Sequence, residues 1–334
     1  MKEIRIDKRF IALSLMLTAM LLLATACGKH TNNGEAPANA AEEGGGADAQ
    51  QISVVTSFYP LYFLAAEIGG EHVNAVNLVA AGVEPHDWTP KSRDLDTASK
   101  AKLFLYHGAG LEGWVDDFLD GLSKDSQVAA KAASTGIELI EGAGEEEAHE
   151  HEDGAENHDH EGVDPHTWVS PKSALKLAEN VKNSLIEVDS ANQADYERNY
   201  EALKQKLDAI DKDYAAKLSQ VTDKNIVVSH QAFGYLARDY GLNQVAIMGL
   251  SPEAEPRAQD LLQIANFVKE HNVKYIFFEE LVSDQLANTL AAEADVQTMV
   301  LNPLEGLTAE QAKAGETYLS LMERNLQNLV QALQ

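Results

Sequence analysis

The chain has 334 residues, with 26 Lys and Arg against 53 Asp and Glu, for a formal net charge of −27. Apolar residues at 45% and charged residues at 24% exclude a chain disordered throughout and a polytopic membrane protein. The acidity excludes nucleic acid, which needs a basic footprint, and the single cysteine, Cys27, excludes an intramolecular disulfide and a Cys-rich zinc ribbon.

The amino terminus reads as an export signal. Lys2, Arg5, Lys8 and Arg9 precede an uncharged, mostly apolar run over 10–23. That run is too short for a membrane span and suits the core of a signal peptide. Ala24-Thr25-Ala26-Cys27-Gly28 is similar to a bacterial lipoprotein cleavage box. Residues 1–26 are therefore expected to be removed and Cys27 to carry lipid, holding the protein at a membrane. The Gly-, Ala-, Asn- and Glu-rich stretch 27–51 has too little apolar surface to fold and reads as a flexible tether.

From Gln51 onward, short apolar runs alternate with amphipathic stretches, the pattern of an α/β fold with parallel sheets covered on both faces. Strands are predicted over 52–56, 73–79, 102–106 and 137–140, with helices over 60–68, 92–98 and 112–121. A second set follows, with strands over 225–229, 244–247, 275–278 and 298–301 and helices over 233–240, 256–271, 284–294 and 309–333. Between the sets, 172–221 contains no Gly or Pro and reads as two helices broken at Asp189-Ser190. The second of these, about 193–221, would span roughly 40 Å at 1.5 Å per residue, long enough to join two lobes as a stiff spine.

The chemistry lies in a duplicated motif. Residues 82–90 read GVEPHDWTP and residues 162–171 read GVDPHTWVSP. Both contain G-V-acid-P-H-x-W, with His86 and His166 at matching places. Each follows a predicted strand, and parallel α/β sheets place their sites beyond the carboxyl ends of strands. Pro85 and Pro165 restrict the backbone before each imidazole. A third imidazole, His230, ends the apolar strand NIVVSH, residues 225–230. Residues 145–161 hold four histidines (His149, His151, His158, His160) and nine carboxylates, with no basic or large apolar residue. This segment is expected to be a loop that recruits metal loosely, not a tight site.

These residues resemble the metal-binding solute-binding proteins of bacterial ABC importers, the cluster A-I group and its zinc branch in particular. The similarity runs from about Ile52 to Gln334. It rests on the two P-H-x-W segments, the His-rich loop between them, the SHQAFGY stretch from Ser229 and the NPLE segment from Asn302. The resemblance implies two (β/α) lobes, each with a four-stranded parallel sheet, joined by one long rigid helix with the metal between them. The corresponding boundaries are a lobe over 52–190, a linking helix over 191–221 and a lobe over 222–334. It also implies a monomeric, lipid-anchored, extracytoplasmic protein that captures Zn²⁺ and delivers it to a membrane permease, with His86, His166 and His230 as ligands. Many relatives carry Asp where this chain has Asn302, a poor ligand; the expected fourth ligand is Glu305, one helical turn further on. Glu279, Glu280 and water are the alternatives.

Three imidazoles and one carboxylate suit Zn²⁺ better than Mn²⁺, although copper and nickel also bind such donors. Trp88 and Trp168 are expected to wall the site and orient the imidazoles. His107, His72, His271 and His30 read as structural or surface residues. A zinc hydrolase is the competing class, but no H-E-x-x-H, G-x-S-x-G or P-loop is present. A surface adhesin that also binds zinc is the other alternative.

Overall fold

The computed structural model describes residues 51–141, 162–252 and 256–334. The export signal, Cys27, most of the tether and the four histidines of 145–161 lie outside the described residues.

Two parallel four-stranded sheets form the framework. The first contains β1 (Ile52–Thr56), β2 (Val73–Asn77), β3 (Leu103–Tyr106) and β4 (Ala129–Ala132), ordered β2-β1-β3-β4. Its helices are α1 (Tyr59–Gly69), α2 (Ser92–Ser99) and α3 (Val115–Asp120). Val54, Val55, Leu103, Phe104 and Leu105 are fully buried, so the central strands are apolar on both faces, as a helix-covered parallel sheet requires. The fourth strand is not at 137–140 as the apolar pattern suggests. Ile140–Glu141 (β5) pairs antiparallel with Val163–Asp164 (β6), while Ala129–Ala132 runs parallel beside Leu103–Tyr106. The sequence AAKA gives little strand signal, because Ala and Lys are poor strand formers and this is a short, half-buried edge strand.

The second sheet contains β7 (Asn225–Val228), β8 (Asn243–Ala246), β9 (Tyr275–Phe278) and β10 (Gln297–Val300), ordered β10-β9-β7-β8. Its helices are α6 (Gly234–Tyr240), α7 (Ala258–Glu270), α8 (Gln285–Ala294), α9 (Ala309–Ala314) and α10 (Tyr318–Leu333). The last two replace the single helix expected over 309–333. Gly315 takes a left-handed conformation (φ 76°) that ends α9, and the Thr317 hydroxyl accepts the Ser320 N–H to start α10.

Between the sheets run α4 (Pro171–Val188), a short turn at Ser190–Asn192, and α5 (Gln193–Leu218). The 26 residues of α5 extend roughly 39 Å. Its buried face comprises Tyr196, Leu203, Leu207, Ile210, Tyr214 and Leu218. Near its start, Asn199 donates to the Ile68 carbonyl (3.0 Å) and Asp195 pairs with His72 (2.7 Å). Near its end, the Tyr214 hydroxyl donates to the Met322 carbonyl (2.7 Å). The helix is thus fastened to both lobes, and one apolar core runs from Val54 and Leu64 through Leu203 and Tyr214 to Phe277 and Leu326. Among the described residues, no helix is long and apolar enough to cross a membrane.

Candidate metal centre

Four side chains from four loops meet beyond the carboxyl ends of the strands. His86 follows β2, His166 follows β6, His230 stands two residues after β7, and Glu305 follows β10. His166, His230 and Glu305 are at most 2% exposed, and the His86 side chain is 10% exposed. One donor atom from each lies within 4.8 Å of all the others, so the group could hold a metal ion.

The spacing is close to what a four-coordinate metal would need. Nε2 of His166 lies 3.2 Å from Nε2 of both His86 and His230. Glu305 Oε1 lies 3.4, 3.5 and 3.7 Å from Nε2 of His86, His166 and His230. A tetrahedron with Zn–N and Zn–O bonds of about 2.0–2.1 Å has edges of about 3.3–3.4 Å. Glu305 Oε1 is buried without a hydrogen-bond partner, a costly state for a carboxylate oxygen unless a cation faces it.

Two of the imidazoles are aimed by carboxylates. Asp164 Oδ1 accepts both the backbone N–H (2.9 Å) and the Nδ1–H (2.8 Å) of His166. Glu279 Oε1 accepts the same pair from His230, at 3.2 and 2.7 Å. With Nδ1 as donor, Nε2 is left to present its lone pair to a metal. Glu84, the counterpart of Asp164 in the first motif, serves differently: its Oε2 accepts the Asp87 N–H (3.1 Å). Burial, with Glu305 nearby, pushes the Glu84 carboxyl up to about 7.

The same contacts set the charges. Burial alone would drive the His230 imidazole down, but Glu279 and Glu305 more than offset it and push it up to about 10. His166 is raised in the same way by Asp164 and Glu305. Burial opposes ionisation of Glu305, but the three imidazoles hold it well below the ordinary carboxylate range. Without metal, a protonated His230 stands beside an ionised Glu305, and an arriving dication must displace its proton.

The other candidate residues have other partners. Glu279 orients His230, and Glu280 Oε2 accepts hydrogen bonds from Asn302 (2.8 Å) and Gln311 (2.6 Å). His107 is fully buried and its Nε2 faces the Pro165 carbonyl (2.8 Å) beside His166; burial drives its pKa down to about 3. Trp168 is fully buried with its ring 5.2 Å from His166, and its indole N–H donates to the Pro303 carbonyl (2.8 Å). Trp88 packs instead against Trp114, 5.3 Å between ring centres. Tyr235, which sequence reasoning passed over, donates from its hydroxyl to the Asp164 carbonyl (2.6 Å) and accepts the Ile140 N–H (3.1 Å). Its only sequence signal is its place in SHQAFGY. Sequence reasoning also gave Asp164 no role of its own, although its place as the acid of the repeated G-V-acid-P-H motif was a signal that could have found it.

Residues 54–332 match a family model described as "Zinc-uptake complex component A periplasmic", ZnuA. The chain belongs to this family. It is 38% identical over 318 residues to the "High-affinity zinc uptake system protein ZnuA" of Bacillus subtilis, covering 95% of this chain and 96% of that protein. It is 46% identical over 281 residues to the "Zinc-binding lipoprotein AdcA" of Streptococcus pneumoniae serotype 4, covering 84% of this chain. The chain spans only 56% of that relative's length. The crystal structure of the Zn(II)-bound ZnuA-like domain of pneumococcal AdcA superposes with a TM-score of 0.72 at 41% identity, covering 85% of this chain and 99% of that one. Membership of the ZnuA family thus joins a fold and a donor cluster reached independently.

Proposed function

We propose that this protein is the extracytoplasmic component of a bacterial zinc importer: it captures Zn²⁺ and hands it to an ABC permease. In this reading His86, His166, His230 and Glu305 are the four ligands. The observation that carries it is the convergence of three imidazole nitrogens and one carboxylate oxygen, with five of the six separations at 3.2–3.7 Å and the sixth, between His86 and His230, within 4.8 Å. The set is nitrogen-rich and has no open position, which favours holding zinc over activating a water on it, so the protein is a carrier and not an enzyme. Zinc here is cargo. Ligands drawn from loops of both lobes let the metal report its presence to a permease through the relation of the lobes.

Several finer features belong to the same proposal. Cleavage before Cys27 and its lipidation anchor a monomer to the membrane, with 27–51 as tether. The lobes divide at 52–190 and 222–334 about the linking helix 191–221. His149, His151, His158 and His160 recruit zinc loosely ahead of the tight site. The test is metal content and competition titration of the processed protein, with a hydrolase assay alongside. One tightly held zinc per chain and no turnover is expected, and deletion of 145–161 should remove only weaker equivalents. Loss of the tight site on that deletion, or zinc-dependent hydrolysis, would overturn the reading.

A further inference from the structure

The turn that presents Glu305 has an unusual backbone. Leu304 is one of four non-glycine residues with positive φ among the described residues, at 66°, and its side chain is fully buried. A left-handed conformation costs an ordinary L-residue roughly 1–2 kcal/mol. Such an outlier persists only where its surroundings impose it.

Here the surroundings are a closed set of hydrogen bonds centred on Asn302, which is 3% exposed. Its Oδ1 accepts the Leu304 N–H (2.7 Å), an Asx turn that bends the chain back over Pro303. Its Nδ2 donates to Glu280 Oε2 (2.8 Å). Its backbone N–H donates to Asn325 Oδ1 (2.9 Å), and its carbonyl accepts from Asn325 Nδ2 (2.6 Å). Every polar group of Asn302 is therefore committed, and none is free for a metal. Glu280 Oε2 also accepts from Gln311 Nε2 (2.6 Å), whose Oε1 in turn accepts the Thr308 N–H (2.8 Å) at the start of α9. The network ties the ends of β9 and β10 to α9 and α10 under the Glu305 turn.

We infer that Asn302 and Glu280 are positioning residues for the metal centre: together they hold Leu304 left-handed and so point the Glu305 carboxylate at the three imidazoles. This rests on the reading of Glu305 as a zinc ligand. An amide is needed at 302, because one side chain must both accept from Leu304 and donate to Glu280. Glu280 acts through Asn302 and does not touch the metal.

The test uses the full-length protein, with Zn²⁺ competition titrations and Co²⁺ absorption spectra, since visible Co²⁺ bands report the ligand geometry. Asn302→Ala and Glu280→Ala should each weaken zinc binding about 10- to 100-fold, as loss of an outer orienting contact does. Both should also shift the Co²⁺ spectrum toward that of Glu305→Ala. Glu280→Gln keeps an oxygen able to accept from both amides, so it should restore near-parental affinity and spectrum. A purely structural role would lower the metal-free melting temperature of the alanine variants while leaving the Co²⁺ spectrum parental, and that result overturns the inference. Should Asn302→Ala fail to fold, the Glu280→Ala and Glu280→Gln pair decides alone. A parental spectrum in Glu305→Ala would remove the ligand reading, and this inference with it. An altered Glu305→Ala beside parental Asn302 and Glu280 variants would remove only the inference.

Discussion

His166 and His230 each give both of their N–H groups to a single carboxylate oxygen, Asp164 Oδ1 and Glu279 Oε1 respectively. The ring cannot rotate without breaking a charge-assisted bond in a dry site, so its Nε2 is aimed before metal arrives. Asp164→Asn and Glu279→Gln should each weaken zinc by about 10- to 100-fold. On the proposed assignment, His166→Ala and His230→Ala remove a ligand outright and should lose more than these, while Glu305→Ala, where water can fill the vacancy, should fall between the orienting variants and the histidine variants. Competition titrations give that order; Glu279→Gln costing more than Glu305→Ala would instead make Glu279 a ligand. The pH dependence has a definite sign. His230 is raised to about 10, so it is protonated at neutral pH without metal, and zinc must release that proton; His166 is shifted in the same direction. Apparent affinity should then climb with pH from 6 to 8, by about tenfold per pH unit for each proton displaced. Calorimetry in buffers of different ionisation heat should find at least one proton released at pH 7. A buffer-independent enthalpy would contradict a protonated His230.

At the scale of elements, the site depends on a close approach between α6 and the β5–β6 ribbon. A Cβ on Gly234 would lie 2.4 Å from Asp164 Oδ2, so glycine is required where the helix passes the carboxylate that aims His166. Gly234→Ala must push that carboxylate aside; about 1–3 kcal/mol of stability should go, as for overpacking, together with zinc affinity. Gly113→Ala, where an added Cβ meets nothing within 4 Å, is the control and should change neither. Thermal melts and zinc titrations of the two variants check this, and equal behaviour would show that the contact relaxes freely. The elements themselves were largely legible in the sequence. Strongly apolar strands such as Ile52–Thr56 and Tyr275–Phe278 fall where their patterns put them. Ala129–Ala132 was not legible, because its pairing with β3 is decided by the sheet and not by its own residues. The repeated P-H-x-W motif marked both histidine loops, yet the divergence of its two tryptophans was invisible. Whether Trp168 meets Pro303 while Trp88 meets Trp114 depends on neighbours 135 and 26 positions away.

For the whole molecule, the question is what holds the two lobes in register before zinc arrives. α5 is fastened to both, and close to the candidate site the Trp168 indole donates to the Pro303 carbonyl. It joins the loop of His166 to the turn of Glu305, each two residues away. The Trp168 carbonyl also accepts the Tyr318 hydroxyl, so this tryptophan is clamped to the second lobe at both its ring and its backbone. Trp168→Phe keeps most of the ring packing against Phe58 and His107 while deleting the N–H. A buried carbonyl left without its donor costs about 1–3 kcal/mol, so the metal-free protein should melt at a lower temperature. Zinc itself stabilises by mass action, by about 2.7 kcal/mol at a hundredfold excess over Kd, because it binds the assembled state alone. If the indole bond preassembles the ligands, part of zinc's binding free energy in Trp168→Phe goes to restoring their register. The zinc-induced rise in melting temperature at fixed free zinc should then be smaller than in the parent. If the variant loses metal-free stability but keeps the full zinc-induced rise, Trp168 supports the fold without preassembling the site.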